Sequence, residues 1–293
     1  MKNNILILGA GGSLGSMLRW RNKFPEGSSI YLQSRRRLSR DTLIWDLEIS
    51  PLLALADFIM AKSINKILML YGGRSYSVEQ DIRELSLIQN CLGLFVSLEV
   101  QQVLVASSAA VYGLDETETF SEESATGSSH EYGCKKLKLE SFGQKYGNDK
   151  TEISFLRLGN VLGADSLTKF YVNNKDHSFI LNKYVNGYLG RSYLTPSSFH
   201  YVIFKLLMLD GGIPKILNVA THSRLFMDEI LAGIGVDFAI KNVDENGRNV
   251  FLETDTLNSL IKIPRQLQDA VFAYTDLRDY RKYQLSKMGD YSG

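Results

Sequence analysis

Cysteine and histidine are scarce in this chain of 293 residues. Cys91 and Cys134 are the only cysteines, and the four histidines (His130, His177, His200, His222) are scattered. Two isolated thiols exclude a disulfide framework, and no pair of these residues has zinc-site spacing, so no metal is expected and a reducing cytoplasm suits the chain. An excess of charge of one sign is also missing. With 33 basic against 32 acidic side chains there is no global field to hold nucleic acid or an anionic membrane, and an anionic ligand needs a local site. Long apolar runs are lacking too. Gly9, Gly11 and Gly12 cut short the apolar stretch of "MKNNILILGAGG", and the later "YVIFKLLML" is short and contains Lys205, so neither a leader core nor a membrane span is expected. There is no internal repeat or low-complexity segment.

What is present is a recurrence of short apolar runs, each followed by a helical pattern. "ILILG" (5–9), "SIYLQS" (29–34), "KILMLY" (66–71), "QVLVASS" (102–108) and "ISFLRLG" (153–159) read as strands, and "GSLGSMLRWRNKF", "SPLLALADFIMAKS" and "QDIRELSLIQNCLGLFVSLEV" as helices. Continuous apolar strands need both faces covered, so the class is α/β, a doubly wound parallel sheet with crossover helices. The pattern changes after residue 163. "SFILNKY", a turn at "VNG", "YLGRSYLT" and a helix opened by "TPSS" predict a smaller mixed α/β lobe over 164–293, interleaved with the last strands of the sheet. The first domain is expected over 1–163.

The first strand runs into "GAGGSLG", with Gly9, Gly12 and Gly15 in the spacing GxxGxxG and Gly11 in addition. Glycine is needed where a backbone turns sharply and where a pyrophosphate approaches helix N-terminal amides without a Cβ in the way. After a first strand and before a first helix this spacing stands in the context that the dinucleotide fingerprint demands, which puts Ser13 and Leu14 on the cofactor as well, with a plain tight turn as the alternative. The second strand ends in "QSRRR" with no acid to bond a ribose 2′-hydroxyl. Ser34 and Arg35 suit a 2′-phosphate, so NADP(H) is favoured, with NAD(H) still possible and a basic surface turn as the plain alternative.

In "SHEYGCKK" (129–136), Tyr132 and Lys136 fall four places apart, on one face of any helix that starts there, with Lys135 to one side. "GAGGSLG", "SSAAVYG" (107–113), "EYGCKK" and "RLGNVLG" (157–163) occur in order, and together they resemble the extended short-chain dehydrogenase/reductases, the nucleotide-sugar epimerases, dehydratases and 4-keto reductases. The resemblance spans roughly residues 4 to 264 and supports the Rossmann sheet. It implies Ser108 as the catalytic hydroxyl, Tyr132 as the acid/base and Lys136 as its partner, which also holds the ribose. An ordinary tyrosine pKa of about 10 is too high for exchange near neutrality, and a nearby ammonium favours the phenolate.

Further positions carry over by the same resemblance. Ser107, Tyr71, Gly72 and Gly73 lie along the cofactor, and Asp46 and Leu47 border the adenine. Asn160, Arg191 and Arg248 reach a sugar diphosphate, with Ser108 and Tyr132 on the sugar; His130 lines the loop. Two positions depart from the pattern: Lys135 stands where a serine is usual, and Glu84 where many relatives place an asparagine. The dehydratases carry an Asp and Glu pair directly after the catalytic hydroxyl, and here those positions are Ala109 and Ala110, which discounts dehydration. Reduction of a 4-keto sugar with NADPH is favoured. A 4-epimerase using NAD and a non-catalytic NADP(H) sensor are the alternatives. A homodimer through the helices around 81–100 and 133–147 is the partner expectation.

Overall fold

The structure, a computed structural model, describes residues 2–21, 23–71, 77–113, 118–128, 130–173 and 179–289. Strand β1 (Asn3–Leu8) is followed by α1 (Ser13–Trp20), β2 (Ser28–Ser34), β3 (Thr42–Ile44), α2 (Leu52–Ala61), β4 (Lys66–Met69), α3 (Val78–Ser97) and β5 (Gln102–Ser108). A 3-10 turn (Ala109–Val111), β6 (Thr119–Phe120), α4 (Glu131–Gly143), β7 (Glu152–Leu158), β8 (Asn160–Val161), α5 (Lys169–Val172), β9 (Phe179–Lys183), β10 (Gly190–Leu194) and α6 (Pro196–Leu207) come next. Then β11 (Ile216–Val219), β12 (His222–Phe226), α7 (Met227–Gly233), β13 (Phe238–Asn242), β14 (Phe251–Leu252), α8 (Asp255–Leu260) and α9 (Ala270–Gly289) complete the chain.

Seven strands form the central sheet in the order β11-β7-β5-β4-β1-β2-β3. The pairings of β1 with β2 and β4, of β2 with β3 and of β4 with β5 are all parallel, as the uninterrupted apolar runs require. Strand order reverses between β1 and β4. The carboxyl ends of those strands therefore open the crevice where ligands bind in such sheets.

The chain divides into two compact units. The first takes Met1–Leu114, Ala125–Arg157 and Ile203–Leu217. Its core holds Leu6 and Leu8 but not Ile5 and Ile7, which are buried on the other face, as the two-residue period of a strand demands. Against Leu6, Leu8, Ile67, Met69, Val103, Val105 and Phe155 lies one stripe of α3, namely Leu85, Ile88, Leu92 and Phe95, spaced by threes and fours. Cys91 belongs to the same stripe, and burial pushes its thiol up to about 12, so it behaves as a small apolar side chain. Lys66 is buried and donates to the carbonyls of Leu207 and Leu209, both at 2.8 Å, at the end of α6. A cation there meets the negative pole of the helix.

The second unit takes Asp115–Ser124, Leu158–Val202 and Asn218–Gly293. The 163/164 boundary expected from the sequence falls inside the segment 158–202. Within this unit β10 pairs with β12 antiparallel and with β8 parallel, Tyr193 opposite Asn160. Helix α6 starts as "TPSS" predicts: Thr195 N–H donates to Ser198 Oγ at 2.8 Å and Ser198 N–H to Thr195 Oγ1 at 3.1 Å. The "VNG" turn is present, with Tyr184 and Gly187 bridged, but its flanking strands do not pair with each other. β9 instead joins β13 in parallel, Phe179 opposite Phe238.

Phe155 is fully buried, and a Cβ at Gly143 would come within 2.1 Å of its ring. Phe155→Ala is expected to cost about 3–5 kcal/mol of stability, read as a lower urea midpoint with an unchanged slope.

Candidate active site

The cofactor turn is built by excluding side chains. Gly9 has φ +82°, in the left-handed region, and the Gly12 N–H donates to the Gly9 carbonyl at 3.0 Å. A Cβ on Gly15 would sit 2.4 Å from the Ala10 carbonyl oxygen, and one on Gly11 2.6 Å from Ser34 Oγ. Gly12 brings no side-chain cap to α1, so the first-turn amides at Ser13 and Leu14 are left for an outside acceptor. A cradle that a single Cβ would fill, at the positive end of a helix, fits a dinucleotide pyrophosphate.

At the far end of the crevice Ser34 is buried, and its Oγ accepts the Arg36 N–H at 3.4 Å. The Arg35 side chain is 83% exposed, and its Nε lies 4.0 Å from Asp46 Oδ2. Asp46 also accepts the Glu48 N–H at 2.9 Å. Leu47 and Tyr71 pack against the core of the first unit. The Tyr71 hydroxyl donates to Gln33 at 2.6 Å, so this side chain points into the protein. Gly72 and Gly73 lie outside the described residues.

Ser108 ends β5, and its Oγ accepts the Ala110 N–H at 3.2 Å, capping the 3-10 turn. Helix α4 begins against that turn. A Cβ on Gly133 would fall 2.3 Å from the Ala110 carbonyl oxygen, so only glycine lets the helix come this close to the turn that follows β5. One turn on, Lys136 is 2% exposed; its Nζ donates to the carbonyls of Ala106 at 2.8 Å and Tyr71 at 3.1 Å and stands 5.8 Å from the centre of the Tyr132 ring. Among the described residues no carboxylate lies within ion-pair distance of it. Burial pulls its pKa down to about 8; Lys135 adds to the lowering, and Glu84 and Glu140 oppose it.

Lys135 faces the other way. It is ion-paired to Asp81 of α3 at 2.7 Å and to Glu84 beside it. Burial alone would lower its pKa, but the two carboxylates hold it above the ordinary lysine value. Lys136 is therefore the lysine that shares the Tyr132 face. The two departures noted in the sequence, at 84 and 135, are each other's partners.

Sequence reasoning missed the support beneath these groups. Glu140, four residues after Lys136, is buried and accepts the Ser107 hydroxyl at 2.5 Å, while Arg157 Nη2 meets its carboxylate at 2.9 Å. Arg157 Nη1 also donates to the Tyr112 hydroxyl at 2.7 Å. The Ser107 side chain is thus turned inward. Its one sequence signal was a charged residue at i+4 on the buried side of α4.

In the second unit Asn160 and Tyr193 are opposite each other, and Arg191 precedes Tyr193 on β10 across an irregularity in its pairing with β12. Arg191 Nη1 donates to the carbonyls of Gly190 and Arg248, both at 2.7 Å, and burial lowers its pKa, with Arg248 adding to the lowering after Tyr193 and Tyr184 oppose it. Arg191 and Arg248 are therefore neighbours. After Asn160, the loop is fixed by Thr168, which takes the Gly163 N–H at 2.6 Å and donates to Asp165 at 2.6 Å. Burial pushes Asp165 up to about 6. Among the described residues no group of three side chains could hold a metal ion, and no helix is long and apolar enough to cross a membrane.

A reversed-order parallel sheet, a side-chain-free turn after its first strand, a serine at the end of β5 and a tyrosine and lysine on the following helix are the arrangement of the short-chain dehydrogenase/reductase type. The chain belongs to the NAD dependent epimerase/dehydratase family, whose model matches residues 5–189. Among solved structures it is similar to MoeE5 in complex with UDP-glucuronic acid and NAD, at 18% identity and TM-score 0.75 over 97% of this chain and 100% of that one. It is also similar to a UDP-N-acetylglucosamine 4-epimerase from Methanobrevibacter ruminantium M1, at 17% identity and TM-score 0.75 over 98% and 100%. The UDP-Glc/GlcNAc 4-epimerase from Campylobacter jejuni gives 16% identity and TM-score 0.76 over 96% and 99%. No curated protein sequence matches the chain.

Two outcomes follow from this geometry. Gly133→Ala is expected to lower turnover by about a hundredfold, since a displacement near 1 Å suffices for that, while circular dichroism shows a folded protein. Because the Lys136 pKa lies below that of a free lysine, its positive charge is intact at neutral pH and is lost as pH rises through about 8; cofactor affinity, measured by titration calorimetry, should weaken over the same interval.

Proposed function

We propose that the chain is an NADP(H)-dependent oxidoreductase of a nucleotide-diphosphate sugar and reduces a 4-keto group. The observation that carries this reading is the Lys136 ammonium, buried beneath the Tyr132 ring with only backbone carbonyls as partners. Such a charge lowers the cost of a tyrosinate, so Tyr132 can release its proton to the substrate oxygen. Ser108 donates to the same oxygen and polarises it. A bound reduced nicotinamide supplies the hydride. Lys136 has three donors and uses two on carbonyls, which leaves one for a ribose hydroxyl.

Ala109 and Ala110 follow Ser108 and offer no acid to protonate a leaving hydroxyl, which argues against dehydration. Asn160, Arg191 and Arg248 are the residues for the sugar diphosphate, since guanidinium groups form strong charge-assisted bonds to phosphate. The exposed Arg35, beside the buried Ser34, supports a 2′-phosphate and hence NADP(H).

A second reading, a 4-epimerase that retains NAD, is favoured by Asp46, which stands 4.0 Å from Arg35 and offsets part of its charge. Incubation with NADPH or NADH and a panel of 4-keto nucleotide sugars separates the readings. The reductase is expected to consume NADPH in step with the keto sugar, and Tyr132→Phe to lose about 10²–10⁴-fold in rate. Interconversion of 4-hydroxy epimers without net cofactor oxidation supports the epimerase, and binding without turnover supports a sensor. Arg35→Ala is expected to raise KM for NADPH about tenfold and leave that for NADH unchanged; equal effects on both would remove the case for NADP(H).

A further inference from the structure

The two ends of the crevice in the first unit are joined underneath by hydrogen bonds that no cofactor role requires. Gln33, 2% exposed, stands at the join. Its Oε1 accepts the Gly9 N–H at 2.8 Å and the Tyr71 hydroxyl at 2.6 Å, and its amide nitrogen donates to the Trp45 carbonyl. A backbone N–H only donates and a backbone carbonyl only accepts, so these two partners fix which way the amide points. The Tyr71 hydroxyl is then the donor of its bond. Burial, chiefly, pushes the Tyr71 phenol far above its ordinary pKa and keeps it a neutral donor.

The other end of Tyr71 meets the catalytic lysine. β4 ends at Met69, and Leu70 N–H makes a last bond to the Leu8 carbonyl at 3.0 Å. The Tyr71 carbonyl lies beyond the strand and accepts from Lys136 Nζ at 3.1 Å. Tyr71 is thus held at both ends, by its phenol on Gln33 and by its carbonyl on Lys136.

We propose that Tyr71 is a positioning residue, a strut that ties the first amide of the glycine turn to the carbonyl that orients Lys136, so that seating of the dinucleotide pyrophosphate and presentation of Lys136 to the ribose are coupled. This rests on the dinucleotide-binding reading given above and adds to it the residue that connects its two halves. A purely apolar side chain would fill the same space against Leu47 and the rest of the core. It would not make the link, because the hydroxyl is what holds Gln33.

Tyr71→Phe is the discriminating change. Gln33 Oε1 keeps its bond from Gly9, so no buried acceptor is stripped bare and folding should be retained; Tyr71→Leu serves if the phenylalanine variant does not fold. Dissociation constants for NADPH and NADH are measured for the full chain as wild type, Tyr71→Phe, Lys136→Met and the double variant. The expected result is about a tenfold loss in Tyr71→Phe and a clearly smaller loss when it is added to Lys136→Met, since the part of its effect that runs through Lys136 has nothing left to orient. At saturating cofactor its kcat should drop by about ten- to a hundredfold with KM for the sugar unchanged. Wild-type affinity and kcat in Tyr71→Phe, or losses that multiply in the double variant, would overturn the strut while leaving the site reading intact. A wild type that binds neither dinucleotide would overturn the site reading and the strut together.

Discussion

An ammonium ion withdrawn from water with no carboxylate to meet it must be stabilised by dipoles, and the arrangement of the first unit follows from meeting that demand at Lys136. Two carbonyls at the ends of neighbouring strands, Ala106 on β5 and Tyr71 beyond β4, supply the dipoles. They are in reach only because α4 lies almost against the backbone it crosses. Gly133 allows this at the Ala110 carbonyl and Gly143 at the Phe155 ring. Glu140 and Arg157 then fix the helix to β7 from below, and Ser107 ties the same carboxylate to β5. Desolvation lowers the lysine's pKa to about 8, and the nearby acids keep it from falling further.

The glycine turn meets the opposite requirement. There the backbone is left bare, and a Cβ at Gly11 or Gly15 would meet neighbouring atoms at 2.6 and 2.4 Å. One end of the crevice is thus made by removing side chains and the other by burying a charged one. Both lie along the strand ends that flank the reversal in strand order, the place where ligands bind in open sheets of this kind.

Local chemistry made part of this legible in the sequence. Gly9 and Gly15 answer to backbone geometry within one turn and could be read without tertiary information, whereas the spacing of Tyr132 and Lys136 put them on one helix face and only the resemblance gave that face a role. "TPSS" fixed the start of α6 by bonds within one turn. Long-range choices could not be read. Gln33 is a polar residue in a strand whose purpose shows only when Gly9, Trp45 and Tyr71 converge on it. Glu140 and Arg157 sit on different elements, and nothing near either marks the other. "VNG" signals a turn but not a partner, and β9 took β13, a strand with mostly exposed side chains and no strong pattern of its own. The two compact units exchange the chain at single elements, a division that composition along the sequence does not register.

Lys135 and Glu84 illustrate what such a buried pair imposes on change. Each departs from the family pattern, and the two losses are not equivalent: without Glu84 the buried lysine still meets Asp81, whereas without Lys135 both carboxylates lose the cation they share. Position 84 is therefore the freer of the two to change. Any chimera that exchanges α3 without α4 takes both carboxylates away from a buried lysine one residue before Lys136.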